Sequence, residues 1–102
     1  MLELRPNCEL CDKDLSVDSV EACICSYECT FCFECIEEVL QNVCSNCGGG
    51  FFSRPVRPAQ EHRPGVALSN NPASTKRVNT NYTIEEIKTF ANGVKDIPPA
   101  KR

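Results

Sequence analysis

Nine cysteines lie between Cys8 and Cys47, and six of them form three pairs with two intervening residues: Cys8-Glu9-Leu10-Cys11, Cys32-Phe33-Glu34-Cys35 and Cys44-Ser45-Asn46-Cys47. A further cysteine, Cys29, stands three positions before Cys32. A turn with this spacing lets two sulfurs reach one tetrahedral ion at about 2.3 Å, so the chemistry indicated is structural metal binding. Soft thiolates without imidazole or carboxylate favour zinc or iron, and four-thiolate zinc is the commoner structural choice. An odd cysteine count fits complete disulfide pairing poorly. The segment Met1-Leu2-Glu3-Leu4-Arg5-Pro6 has neither the basic start nor the apolar stretch of an export signal. A cytoplasmic chain is therefore expected, whose thiols stay reduced unless metal holds them. The expectation is zinc, two ions per chain.

Eight ligands make two sites and leave one cysteine over, and two registers compete. In the first, Cys25, Cys29, Cys32 and Cys35 form the middle group and Cys23 is spare. In the second, Cys23, Cys25, Cys29 and Cys32 form it and Cys35 is spare. A spare Cys23 reads either as a small buried hydrophobe on a strand or as a substitute ligand or redox-sensitive thiol two residues from a ligand.

These residues need elements to hold them. Ile36, Val39, Leu40 and Val43 recur at i, i+3, i+4 and i+7, which predicts one short helix from about Phe33 to Gln41, ending before Cys44. Ala22-Cys23-Ile24-Cys25 and Thr30-Phe31 read as two strands of a hairpin between ligands. Gly48-Gly49-Gly50 suits a tight backbone return around a metal. The metal domain thus spans residues 1–53. Residues 54–81 contain Arg54-Pro55-Val56-Arg57-Pro58, His62-Arg63-Pro64-Gly65 and Asn70-Asn71-Pro72, a polar, proline-punctuated pattern expected to be a flexible basic linker. In residues 82–97, Thr83-Ile84-Glu85-Glu86 has the form of a capping box. It opens a short amphipathic helix with Ile84, Ile87, Phe90, Ala91 and Val94 on one face, docked or fraying. Gly93 and Pro98-Pro99 are expected to end it.

Composition agrees. In 102 residues and 11.3 kDa there is no Trp, and residues 1–53 hold only 18 hydrophobic residues other than cysteine, so a sizeable apolar core is excluded. Structural zinc, at on the order of 10 kcal/mol per ion, would offset the chain entropy that so little burial cannot. There is also no run of about 18 apolar residues for a membrane span. Charge divides along the chain: residues 1–53 carry ten acidic and two basic side chains, net minus 8, and residues 54–102 carry plus 5. Eight thiolates around two divalent ions would take the first half to about minus 12, which repels phosphate. Nucleic acid is left only the scattered cations Arg54, Arg57, Arg63, Lys76 and Arg77.

Both registers fit the ligand spacing of the RING finger family, and Cys29-Thr30-Phe31-Cys32-Phe33-Glu34-Cys35-Ile36 resembles its stretch of histidine, aromatic, knuckle and Ile or Leu, with Cys29 in the place of the histidine. That resemblance favours the first register. It implies a small metal-stabilised α+β fold, a cross-braced two-zinc domain in which Cys8, Cys11, Cys32 and Cys35 form one site and Cys25, Cys29, Cys44 and Cys47 the other. Residues 1 to about 58 also resemble a small bacterial family of uncharacterised cysteine-rich proteins, from Met1-Leu2-Glu3-Leu4-Arg5-Pro6-Asn7-Cys8 to Cys44-Ser45-Asn46-Cys47-Gly48-Gly49. That resemblance implies a metal-binding domain in which position 23 is not typically cysteine. It identifies no counterpart for the tail.

Sites of four thiolates leave no open position for water activation. The one histidine, His62, lies in the linker, Glu37 and Glu38 read as a solvated helix face, and the glycine run lacks the Lys-Ser/Thr ending of a phosphate loop. The expected function is a non-enzymatic, monomeric zinc module that binds a protein partner through its acidic surface, exposed Phe51-Phe52 or the C-terminal helix. The alternatives are a RING-type ubiquitin-ligase-like activity, implied by the resemblance and by Leu10 between the first two ligands, an iron-thiolate electron carrier, and nucleic-acid binding through the tail.

Overall fold

The β-branched and aromatic residues on either side of Cys25–Cys29 form the hairpin that the sequence predicts. In the computed structural model, which describes residues 1–102, β1 (Ala22–Ile24) pairs antiparallel with β2 (Thr30–Cys32), Cys23 opposite Phe31. The turn between them closes through Glu28 N–H donating to Cys25 O at 3.0 Å, with Glu28 at φ 68°. A third strand, β3 (Phe52–Ser53), pairs with the other edge of β1, giving the order β2-β1-β3. Alternation at this strand divides the Phe51-Phe52 pair that the sequence reading placed together at the surface. Phe51 is buried with its ring edge-on to Phe31 at 5.4 Å, and Phe52 alone stays out, 85% exposed.

The helix after β2 begins as expected at Phe33, but only Phe33–Cys35 (α1) is α-helical; Ile36–Leu40 widens into a π-helix. Its end is set by Gln41 and Asn42, both left-handed at φ 50° and 59°, whose N–H groups both donate to Ile36 O. Ile36, Leu40 and Val43 are buried and Val39 half-buried, as their spacing predicts, while Glu37 and Glu38 are exposed. The wider turn carries the chain directly into Cys44.

The second helix, α2 (Ile84–Val94), starts with a complete capping box: Glu86 N–H donates to Thr83 Oγ1 at 3.1 Å and Thr83 N–H to Glu86 Oε1 at 2.9 Å. It docks on the π-helical segment through Ile87 and Ala91, each 1% exposed. Ile84 and Phe90, on the same face of the pattern, stay about half exposed. Gly93 lies within the helix, and the chain beyond Pro98 forms a 3₁₀ turn (Pro99–Lys101) that packs Pro99 against Gly50.

Residues 54–81 run across the cysteine-bearing half. Arg54 is buried and donates to Arg5 O and Ser16 O at 2.9 and 3.1 Å, and Arg57 donates to Leu2 O and Asn71 O, both at 2.6 Å. Fully buried Asn7 pairs with the backbone of Val78 in both directions, Thr80 N–H donates to Glu9 O, and Arg77 bridges Asp12 and Asp14. The result is a small α+β fold with a three-stranded sheet, two helices and two cysteine clusters. Seven of the 14 residues in its main buried cluster are cysteines, so sulfur occupies much of the place an apolar core would take.

Candidate metal centres

The first cluster joins a loop to the β2–α1 junction. Cys8 and Cys11 lie on a turn closed by Asp12 N–H donating to Cys8 O at 2.9 Å, with Asp12 left-handed at φ 64°. Cys32 ends β2 and Cys35 ends α1. The four sulfurs all lie within 4.8 Å of one another. Those of Cys11 and Cys32 are 3.8 Å apart, the edge of a tetrahedron with metal–sulfur bonds of about 2.3 Å and far beyond a disulfide. Cys8, Cys32 and Cys35 are buried and Cys11 is exposed.

The second cluster joins the hairpin turn to the knuckle after the π-helix. The sulfurs of Cys25, Cys44 and Cys47 lie within 4.8 Å of one another. Cys29 Sγ neighbours Cys44 and Cys25 and accepts the Asn46 side-chain N–H at 3.3 Å. The knuckle closes through Gly48 N–H donating to Cys44 O at 2.7 Å, and Gly48, at φ +80°, holds the left-handed turn this requires. Backbone N–H groups of Tyr27 and Gly49 donate to the Cys25 and Cys47 sulfurs at 3.3 and 3.4 Å. Arg102 closes over the outside, donating to Asn42 O and Gly48 O.

Thiol energetics follow this geometry. Hydrogen bonding from the Cys44 thiol, then from Asn46 and Cys25, pulls Cys29 down to about 5 despite its burial. The same shared proton, with burial, pushes Cys44 far up, and burial chiefly pushes Cys25 up to about 11. In the first cluster burial opposes ionisation of Cys8, but N–H groups of Cys11, Cys32 and Leu10 outweigh it and bring the thiol down, while burial raises Cys32 and Cys35. Each cluster thus favours ionisation at one sulfur, Cys8 or Cys29, and opposes it at Cys32 and Cys35 or Cys25 and Cys44, because several like charges at this spacing repel. A bound divalent cation would supply the missing countercharge. The donor set fits a soft metal ion in both places.

The ninth cysteine stands apart. Cys23 lies between Phe31 and Ser53 in the sheet, its thiol donates to Glu21 O at 3.7 Å, burial raises it, and it joins neither cluster. The grouping with Cys35 inside and Cys23 outside is the first of the two registers. His62 is exposed on the segment after the sheet. Sequence reasoning missed Glu9, which it counted only as charge. This side chain, 2% exposed, accepts the Thr30 N–H at 2.5 Å and Arg5 at 2.6 Å, and its own N–H donates to Thr30 O, fastening the first knuckle to β2. Its position between ligand and apolar neighbour in Cys8-Glu9-Leu10-Cys11 carries no local signal of that role.

Comparison with known proteins gives the chain its relatives. The family described as "Protein of unknown function (DUF1272)" matches residues 1–57. An uncharacterized protein of Rhizobium meliloti (strain 1021) is 55% identical over 78 residues, 76% of this chain and 86% of the relative. No solved structure matches. Any 78-residue stretch of a 102-residue chain includes residues 25–78, so the segment that wraps the cysteine half also has a counterpart, which the sequence reading did not identify. By both measures the chain belongs to the DUF1272 family of proteins of unknown function.

Proposed function

We propose that this protein is a zinc-binding, non-enzymatic interaction module. Cys8, Cys11, Cys32 and Cys35 hold one ion, and Cys25, Cys29, Cys44 and Cys47 the other. The observation that carries the reading is the gathering of seven cysteine sulfurs into clusters of four and three, with Cys29 beside the second, by strands of two or three residues, which are too short to hold one another without a crosslink. Four thiolates per ion complete a tetrahedron, so each ion would fix chain geometry and offer no position to substrate. That leaves the surface as the part that acts, and a protein as its partner.

Two features weigh against nucleic acid. The cysteine half is strongly acidic, and three of the five cations in residues 54–81, Arg54, Arg57 and Arg77, hold that segment to it. No helix is long and apolar enough to cross a membrane. A ubiquitin-ligase-like reading is favoured by one observation: Leu10 remains partly exposed between Cys8 and Cys11. Metal analysis of protein purified without added metal tests the main proposal. Colourless protein with two zinc ions per chain supports it; visible thiolate-to-iron absorption would assign an electron carrier instead. Discharge of a charged ubiquitin-conjugating enzyme would establish the ligase reading.

A further inference from the structure

Beside β3 and α1 lies a cavity of about 570 Å³ that neither cysteine cluster uses. Cys23, Ile36 and Phe51 line it, and Phe33 and Phe52 stand at its margin, 55% and 85% exposed. Two outward phenylalanines bordering one concavity form the kind of apolar patch that marks an interaction surface. The only charged side chain lining it is acidic. Glu37 lines the cavity, Glu34 and Glu38 are exposed on the same turns, and Phe33–Gln41 contains no Lys or Arg. Lys95, which reaches this rim, donates its Nζ to Gln41 Oε1 at 3.2 Å.

From this combination we infer that the Phe33/Phe52 face docks a basic peptide segment of another protein, with one bulky apolar side chain filling the cavity and flanking Lys or Arg side chains meeting Glu34, Glu37 and Glu38. The inference rests on the interaction-module reading and gives its partner a chemistry. A second copy of this chain fits the face poorly, because apposing two such faces brings six carboxylates together. Cys23 forms part of the apolar lining, a use of the ninth cysteine that needs no metal.

Panning random 12-residue displayed peptides against the full-length zinc-loaded chain tests the inference, with Phe52→Ser and the combined Glu34→Gln, Glu37→Gln, Glu38→Gln chain as comparison targets. All four side chains are exposed, so both variants should keep the metal content and amide spectrum of the parent. The expected result is enrichment of sequences with Lys or Arg on both sides of a Leu, Ile, Met or aromatic residue. Their affinity should fall at least tenfold for each variant. Enriched peptides that are acidic, or that bind Phe52→Ser as well as the parent, would overturn the docking face while leaving the module reading in place. Absence of any enrichment would overturn the docking face, while zinc counted in the same sample tests the module reading separately, and self-association that Phe52→Ser abolishes would assign the face to a second copy.

Discussion

At the scale of single residues, eight cysteines differ from the ninth. Cys35 sits in a four-sulfur cluster and Cys23 does not, so Cys23→Ser should keep two zinc ions per chain, whereas Cys35→Ser and Cys29→Ser should each lose at least one. Metal content of the purified variants checks this, and a Cys23→Ser chain with a single ion would contradict the register. Protons are a second residue-scale signature. Thiols with an ordinary value of about 8.5 are protonated at neutral pH in the unfolded, metal-free chain, so a bound cation must displace those protons. Titrating zinc into metal-free protein in weak buffer at pH 7 should release several protons per chain, and affinity should fall as pH is lowered. Release of none would show that the sulfurs are not the ligands.

At the scale of elements, the knuckles were legible because ligand spacing is a local property, and so was the hairpin, whose residue types and turn lie within ten residues. The π-helical widening was not legible. The spacing Ile36, Val39, Leu40, Val43 suits an α-helix equally, and the choice is made by Gln41 and Asn42 turning left-handed to deliver Cys44. Nor was β3, a two-residue strand that exists only because β1 offers it an edge. The widening makes a prediction. Gln41 pays a left-handed penalty that glycine avoids, so Gln41→Gly should stabilise the zinc-loaded protein by roughly 0.5–1 kcal/mol. A thermal midpoint measured at fixed zinc excess should rise by a few degrees, and a fall would show that the side chain of Gln41 matters more than its backbone.

At the scale of the molecule, the two oppositely charged halves are parts of one structure. Exposed pairs such as Arg77 with Asp12 and Asp14 contribute little individually. The firmer attachment is Asn7, whose buried amide serves the Val78 backbone as both donor and acceptor and also reaches Cys8 O and Asp12. Proline and polar residues in 54–81 gave no sign of this, since the anchoring partners of Arg54, Arg57 and Val78 lie 49 to 71 positions away. Asn7→Ala should therefore cost about 2 kcal/mol and accelerate exchange of the Val78 amide while the ligand knuckles stay protected. Equal loss of protection at Val78 and at the knuckles would mean that tail and metal half unfold together. The central claim is that metal takes the place of a core in which half the main buried cluster is cysteine. The most direct measurement of it is the amide NMR spectrum of the full chain before and after zinc is stripped by a chelator, with zinc counted in both samples. The account predicts two ions and a dispersed spectrum that collapses on stripping and returns when zinc is restored; a spectrum that stays dispersed in metal-free protein would contradict it.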